Sequence, residues 1–162
     1  MKKRDREPGV AGMVLCVGLG AFFDGIVFHQ LLQWHHMLSH WSPAGTTAGM
    51  ELNMLADGLC HVLAQVCVAA GLKLLWRAAR RPHFSWSGPR FIGALLMGWG
   101  GFNVVEGLVD HILLGVHHVN ERAPVWQWPY WDWGFILWGA AFAALGVALS
   151  RLARRGFVSD AA

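Results

Sequence analysis

Polar positions along this chain are few and grouped, and the stretches between them are apolar. Four such stretches stand out, at about Val10–Trp34, Leu52–Trp76, Phe91–Val116 and Trp133–Leu152. Each can cross about 30 Å of hydrocarbon as a helix, which takes roughly 20 residues. Pro82, Pro89, Pro124 and Pro129 fall in the intervening loops, where they do not disturb a helix. The pattern predicts an all-α fold, an integral membrane four-helix bundle forming one domain over residues 1–162.

Composition agrees. Of 162 residues, 55 % are hydrophobic and 14 % charged, against about 25 % charged in soluble domains. Mean hydropathy is +0.38. These values exclude a disordered chain, a nucleic-acid module and a disulfide scaffold. The three cysteines, Cys16, Cys60 and Cys67, all fall inside predicted spans, which points to packing rather than pairing.

The net charge of +3 is concentrated outside the spans. Lys2, Lys3, Arg4 and Arg6 open the chain, Lys73 to Arg90 form a second group, and Arg151, Arg154 and Arg155 a third. By the positive-inside rule both termini and the basic loop 77–90 are cytoplasmic, and loops 35–51 and 117–132 face the other side. The basic loop is suited to anionic lipid head groups. Trp34, Trp41, Trp126, Trp128, Tyr130, Trp131 and Trp133 predict an outer aromatic belt, and Trp76, Phe84 and Trp86 an inner one. Met1–Glu7 with the run behind it resembles a signal peptide. That run is too long and contains Asp24 and His29, so an uncleaved first span is expected.

The first and third spans share a pattern. Asp24-Gly25-x3-His29-x5-His35-His36 matches Glu106-Gly107-x3-His111-x5-His117-His118 without a gap. This predicts two tandem two-helix repeats, about 10–76 and 91–152, related by a pseudo-twofold axis along the membrane normal. Asp57 has a counterpart in Asp132, whereas His61 has none in the fourth span.

An ionisable group at the centre of a transmembrane helix costs about 2.5–3.5 kcal/mol on insertion scales. Asp24, His29, Asp57, His61, Glu106, Asp110 and His111 all stand within predicted spans, so they must face one another, water or a metal. Straight-helix geometry puts Asp24, Glu106 and His61 near the midplane. His29 and His111 come about 7 Å higher, level with Asp57. His35, His36, His117 and His118 fall at the outer interface, as ligands or as a metal-gathering funnel. Met50, Met54, Asp57, His61 and Gln65 form one stripe expected to face the bundle centre, and the two thioethers suit Cu(I). Cys60 is a weaker ligand candidate, Asp110 is placed to orient a ligand, and His40 and His83 read as loop residues. Gly18, Gly20, Gly98, Gly100, Gly101, Gly139 and Ala143 are expected at close helix contacts.

The segment from Gly20 to Gln30, with Leu32–Met37, Asp57-Gly58-Leu59-Cys60-His61 and Gly101 to Val119, resembles a family of bacterial predicted membrane proteins filed as a domain of unknown function. The resemblance covers nearly the whole chain. It implies a four-helix protein of the bacterial inner membrane and brings no activity with it.

Imidazole and carboxylate together form the ligand set of iron, zinc and copper. The leading expectation is therefore a metal site near the outer leaflet, with an oxidoreductase-like redox centre as its active form. His29, His61 and His111 are the core ligands in this reading. Asp24, Asp57 and Glu106 are ligands, bridges or charge balance. Two alternatives stay open: haem b held by His29 and His111, and transport or delivery of metal or protons. The expected partners are the lipid bilayer, a redox partner or small-molecule substrate, and a second copy of the chain.

Overall fold

The computed structural model describes residues 7–82 and 87–159, the side chains of Glu7 and of 154–159 excepted. Lys2, Lys3, Arg4, Arg6, His83, Phe84 and Trp86 lie outside the described residues, as do the side chains of Arg154 and Arg155. Four helices carry the fold: α1 (Glu7–Asp24), α2 (Thr47–Ala79), α3 (Gly88–Glu106) and α4 (Trp128–Ser159). Each belongs to a stretch long and apolar enough to cross a membrane: Pro8–Leu31, Thr47–Ala79, Gly88–Leu113 and Val125–Ala153. α2 begins earlier than hydropathy alone suggests, because the Thr46 side chain accepts from Gly49 N–H at 3.0 Å and caps it. Pro89, which has no N–H to leave unpaired, stands in the first turn of α3.

The helices lie in a row. α2 packs on α1, α1 on α3 and α3 on α4, and among the described residues the backbones of α2 and α4 do not approach. Glycines make the close contacts. A Cβ on Gly18 would meet the backbone of Ala64, one on Gly98 the backbone of Met13, and one on Gly100 the backbone of Gly139. Gly101 departs from its expected role, since a Cβ there would meet nothing within 4 Å. The three thiols are free.

α1 and α3 do not run on as straight α-helices. Each passes into a π-helical turn, Gly25–Leu31 and Gly107–Leu113. Leu32 N–H donates to Val27 O and Leu114 N–H to Val109 O, both at 2.8 Å, five residues back. Immediately afterwards the chain reverses through a left-handed residue, Gln33 (φ 49) after the first turn and Gly115 (φ 55) after the second. This reversal, absent from a straight-helix reading, decides where the histidines go.

Candidate metal centre

The reversals fold His35 and His117 back onto the helices they have just left. Both lie beyond the membrane-crossing stretches, and both are buried, 3 % and 0 % exposed. Their rings stack on each other at 4.4 Å between centroids, only 3° from parallel. His29 meets His35 edge-on at 4.5 Å, and His111 meets His117 at 4.8 Å. Four imidazoles from two helices thus form one buried arc, with Asp24 and Glu106 beneath it.

Three of the four rings in the arc are anchored by Nδ1. His35 donates to Val119 O at 2.8 Å, and His117 to Met37 O at 3.0 Å. His29 donates to Asp57 Oδ1 at 2.9 Å. His111 Nδ1 faces Asp132 Oδ1 at 3.7 Å, too far for a hydrogen bond. A backbone carbonyl only accepts, so His35 and His117 carry the proton on Nδ1, and their neutral forms present a bare Nε2 lone pair. Burial pushes the His35 imidazole well below its ordinary pKa, and the adjacent His117 and His29 push the same way. His35 is therefore neutral near pH 7, the form that binds metals.

The Nε2 atoms converge without ordinary partners. His29 Nε2 lies 3.1 Å from Asp24 Oδ2, and His111 Nε2 lies 3.2 Å from Glu106 Oε1. Neither contact has hydrogen-bond alignment, and Nε2 of His29, His35 and His111 are all buried and unpartnered. Asp24 Oδ1 and Glu106 Oε2 are in the same condition. His117 Nε2 sits 3.4 Å from Glu106 Oε1. Each such group costs about 1–3 kcal/mol when left unsatisfied. Two sets, His29/His35/His117 and Glu106/His111/His117, bring one ligand atom per residue within 4.8 Å of one another. Either set could hold a metal ion.

Around the arc stands a second layer. Asp57 accepts from His29 Nδ1, from His36 Nδ1 at 2.8 Å and from Met37 N–H at 2.8 Å. Its carboxylate orients imidazoles and lies outside both three-residue sets. Asp132, 2 % exposed, accepts from His118 Nδ1 at 2.7 Å and from Val119 N–H at 3.0 Å. The orienting position expected of Asp110 is thus filled by Asp132, and Asp110 is only half-buried. The spacing from Asp57 already singled Asp132 out, though not as a site residue. His36 and His118 are outer partners of these carboxylates. Trp128, expected in the aromatic belt, stacks on His118 at 4.7 Å.

His61 stands apart from the arc. Its ring stacks on Phe22 at 5.7 Å, and its buried Nε2 has no partner. It packs against Gly25, where a Cβ would collide with it. In the second half Ile136 occupies the same place against Gly107. The stripe that includes His61 does not face the bundle centre as a whole. Asp57 is buried, Met50 and His61 are half-buried, and Met54 and Gln65 are exposed. Cys60 joins neither three-residue set.

The chain belongs to a family of predicted membrane proteins, the domain of unknown function DUF2243, whose model matches residues 11–153. No curated protein and no solved structure matches it significantly.

Proposed function

We propose that this is a metal-binding membrane protein in which His29, His35, His111 and His117, with Asp24 and Glu106, bind a transition metal of the iron, copper or zinc group. One observation carries the reading. Three of the imidazoles are held by Nδ1 hydrogen bonds, and all four crowd ring nitrogens together with carboxylate oxygens in a buried space. Lone pairs that converge repel one another unless a proton or a metal cation lies between them. Carboxylates and carbonyls on the far nitrogen are also what orient ligating imidazoles and raise their basicity. When bound, the metal would supply a Lewis acid or a redox centre. The protein's own residues fix ring orientation, compensate charge with two acids, and exclude bulk water.

In this reading the two halves are tandem repeats about an axis between His35 and His117. The crossed bonds His35–Val119 and His117–Met37 support it, as do the matching π-helical turns. The termini face the cytoplasm and the histidine end the periplasm of a bacterial inner membrane, on the strength of the basic clusters. A haem held between His29 and His111 gains no support, because the stacked His35 and His117 rings fill the space between them. A through-path is not favoured either. Away from the histidine end, the contacts of Gly18 with Ala64 and of Gly98 with Met13 close the helices onto one another.

Purified protein should carry near-stoichiometric Fe, Cu or Zn by elemental mass spectrometry, and His29→Ala or His111→Ala should lose it. A folded, metal-free preparation that stays metal-free after incubation with each of the three ions would end the proposal.

A further inference from the structure

A cavity of about 760 Å³ lies against the first-half side of the arc, and the metal reading leaves it without a role. His29 and His35 form part of its wall. The rest includes Gln30, Trp34, Met54, Gly58 and His61. Gln30, Met54 and Gly58 are exposed and stand within membrane-crossing stretches, so the cavity, whose other end is lined by Gln33, Pro43 and Arg122, reaches into the apolar part of the helices.

The second half of the chain shows which features of this wall the imidazoles do not need. At the positions matching His61, Gly58 and Gln30 stand Ile136, Trp133 and Ile112. His111 and His117 are nonetheless buried and stacked in the same manner. Room at Gly58 and polarity at Gln30 and His61 are therefore not required to hold the arc. A Cβ on Gly58 would meet nothing within 4 Å, so the space is real. The His61 ring lines the wall with its accessible edge, its Nε2 being buried against Gly25, and Gln30 is the exposed amide of that wall.

The wall also restricts what fits. Asp57 and Glu121 line it alongside one cation, Arg122, which already donates to Gln33 Oε1 at 3.2 Å. That balance disfavours a phosphate head group. An indole, thioethers, an amide and an imidazole suit an uncharged ring bearing hydrogen-bonding oxygens. The volume is of the size that takes such a molecule.

We propose that this cavity binds the head of a lipid-soluble quinone or quinol, with the Gln30 amide as its hydrogen-bond partner and its tail leaving beside Met54 and Gly58. The proposal goes beyond the metal reading and does not depend on it. The test uses the full chain in phosphatidylcholine nanodiscs and a short-tailed azido-quinone photolabel, with labelled peptides mapped by mass spectrometry. Labelling should fall on 30–34 or 50–61 and be suppressed by excess unlabelled decyl-quinone. Gly58→Trp should fill the cavity and abolish labelling, and Gln30→Ile should reduce it about tenfold, the worth of one hydrogen bond. Gln30→Ile keeps the test valid if the tryptophan variant fails to fold. Labelling that resists the competitor, persists in folded variants, or is suppressed instead by phosphatidylglycerol would overturn the proposal. Metal content measured on the same samples separates the two ideas, since quinone labelling of a protein that stays metal-free after incubation with iron, copper and zinc would sink only the metal centre.

Discussion

The two halves of the centre use one plan with different tolerances. In the first half Asp57 grips His29 at 2.9 Å, while in the second Asp132 stands 3.7 Å from His111. Asp24 lies 3.1 Å from His29 and, among the described residues, makes no other ion-pair contact with a histidine. Glu106, one methylene longer, lies within 3.4 Å of both His111 and His117. The first half holds its histidine more tightly from outside, and the second half's inner acid reaches two imidazoles where the first half's reaches one. Two matched sets can thus present unequal faces to one ion, and the inequality comes from a single methylene and a shift of less than 1 Å in an outer carboxylate.

The outer carboxylates offer the strongest test of this inequality. Asp57→Asn should lower metal affinity by about 10–100-fold, the usual cost of losing an orienting partner. Asp132→Asn should cost less, because Asp132 makes no hydrogen bond to His111. Metal-competition titrations would measure both, and equal losses would erase the distinction between the halves.

Acid comes next. His35 has a folded pKa below its ordinary value of 6.5 through burial and the nearby imidazoles of His117, His29 and His111. As pH falls through 6.5, the unfolded chain takes up a proton that the folded chain refuses. Stability is therefore full above that value and declines below it, by at most about 1.4 kcal/mol per pH unit. Melting of metal-free protein in detergent between pH 7 and 5 should show the decline, and His35→Gln should flatten it.

The reversals differ as well. Gly115→Ala puts a side chain at φ 55 and should cost about 1 kcal/mol, read as a lowered Tm. Gln33→Gly should cost nothing or raise Tm, since Gln33 already bears that strain at φ 49. The smallest effect belongs to the inner acids. Glu106→Asp should weaken metal binding a few-fold, and the double exchange Asp24→Glu with Glu106→Asp should restore it by moving the longer acid to the other half.

Much of the centre could be read from the chain. Asp24, His29, Glu106 and His111 announced themselves because ionisable groups in apolar runs need compensation, and their equal spacing tied two distant segments together. His35 and His117 were visible as residues, but their return onto the helix ends and their burial were not. A straight helix rises 1.5 Å per residue and carries them outward. The turn that brings them back has a local signal only in the second half, where Gly115 suits a left-handed backbone. Gln33 gives no such warning. His61 looked like a ligand because a buried imidazole needs a partner, and only packing revealed that Phe22 and Gly25 surround it.

Hydropathy and covalent spacing alone determined four helices long and apolar enough to cross a membrane, the pairing of the two polar motifs, and the imidazole–carboxylate make-up of the cluster. These follow from transfer free energy and chain connectivity, which are properties of the sequence itself. Tertiary structure decided which imidazoles meet, which nitrogen each turns inward, and which acids touch the arc rather than brace it. Those outcomes depend on ångström-scale differences set by π-helical turns, glycine contacts and crossed backbone hydrogen bonds, and such differences arise only when distant segments pack together.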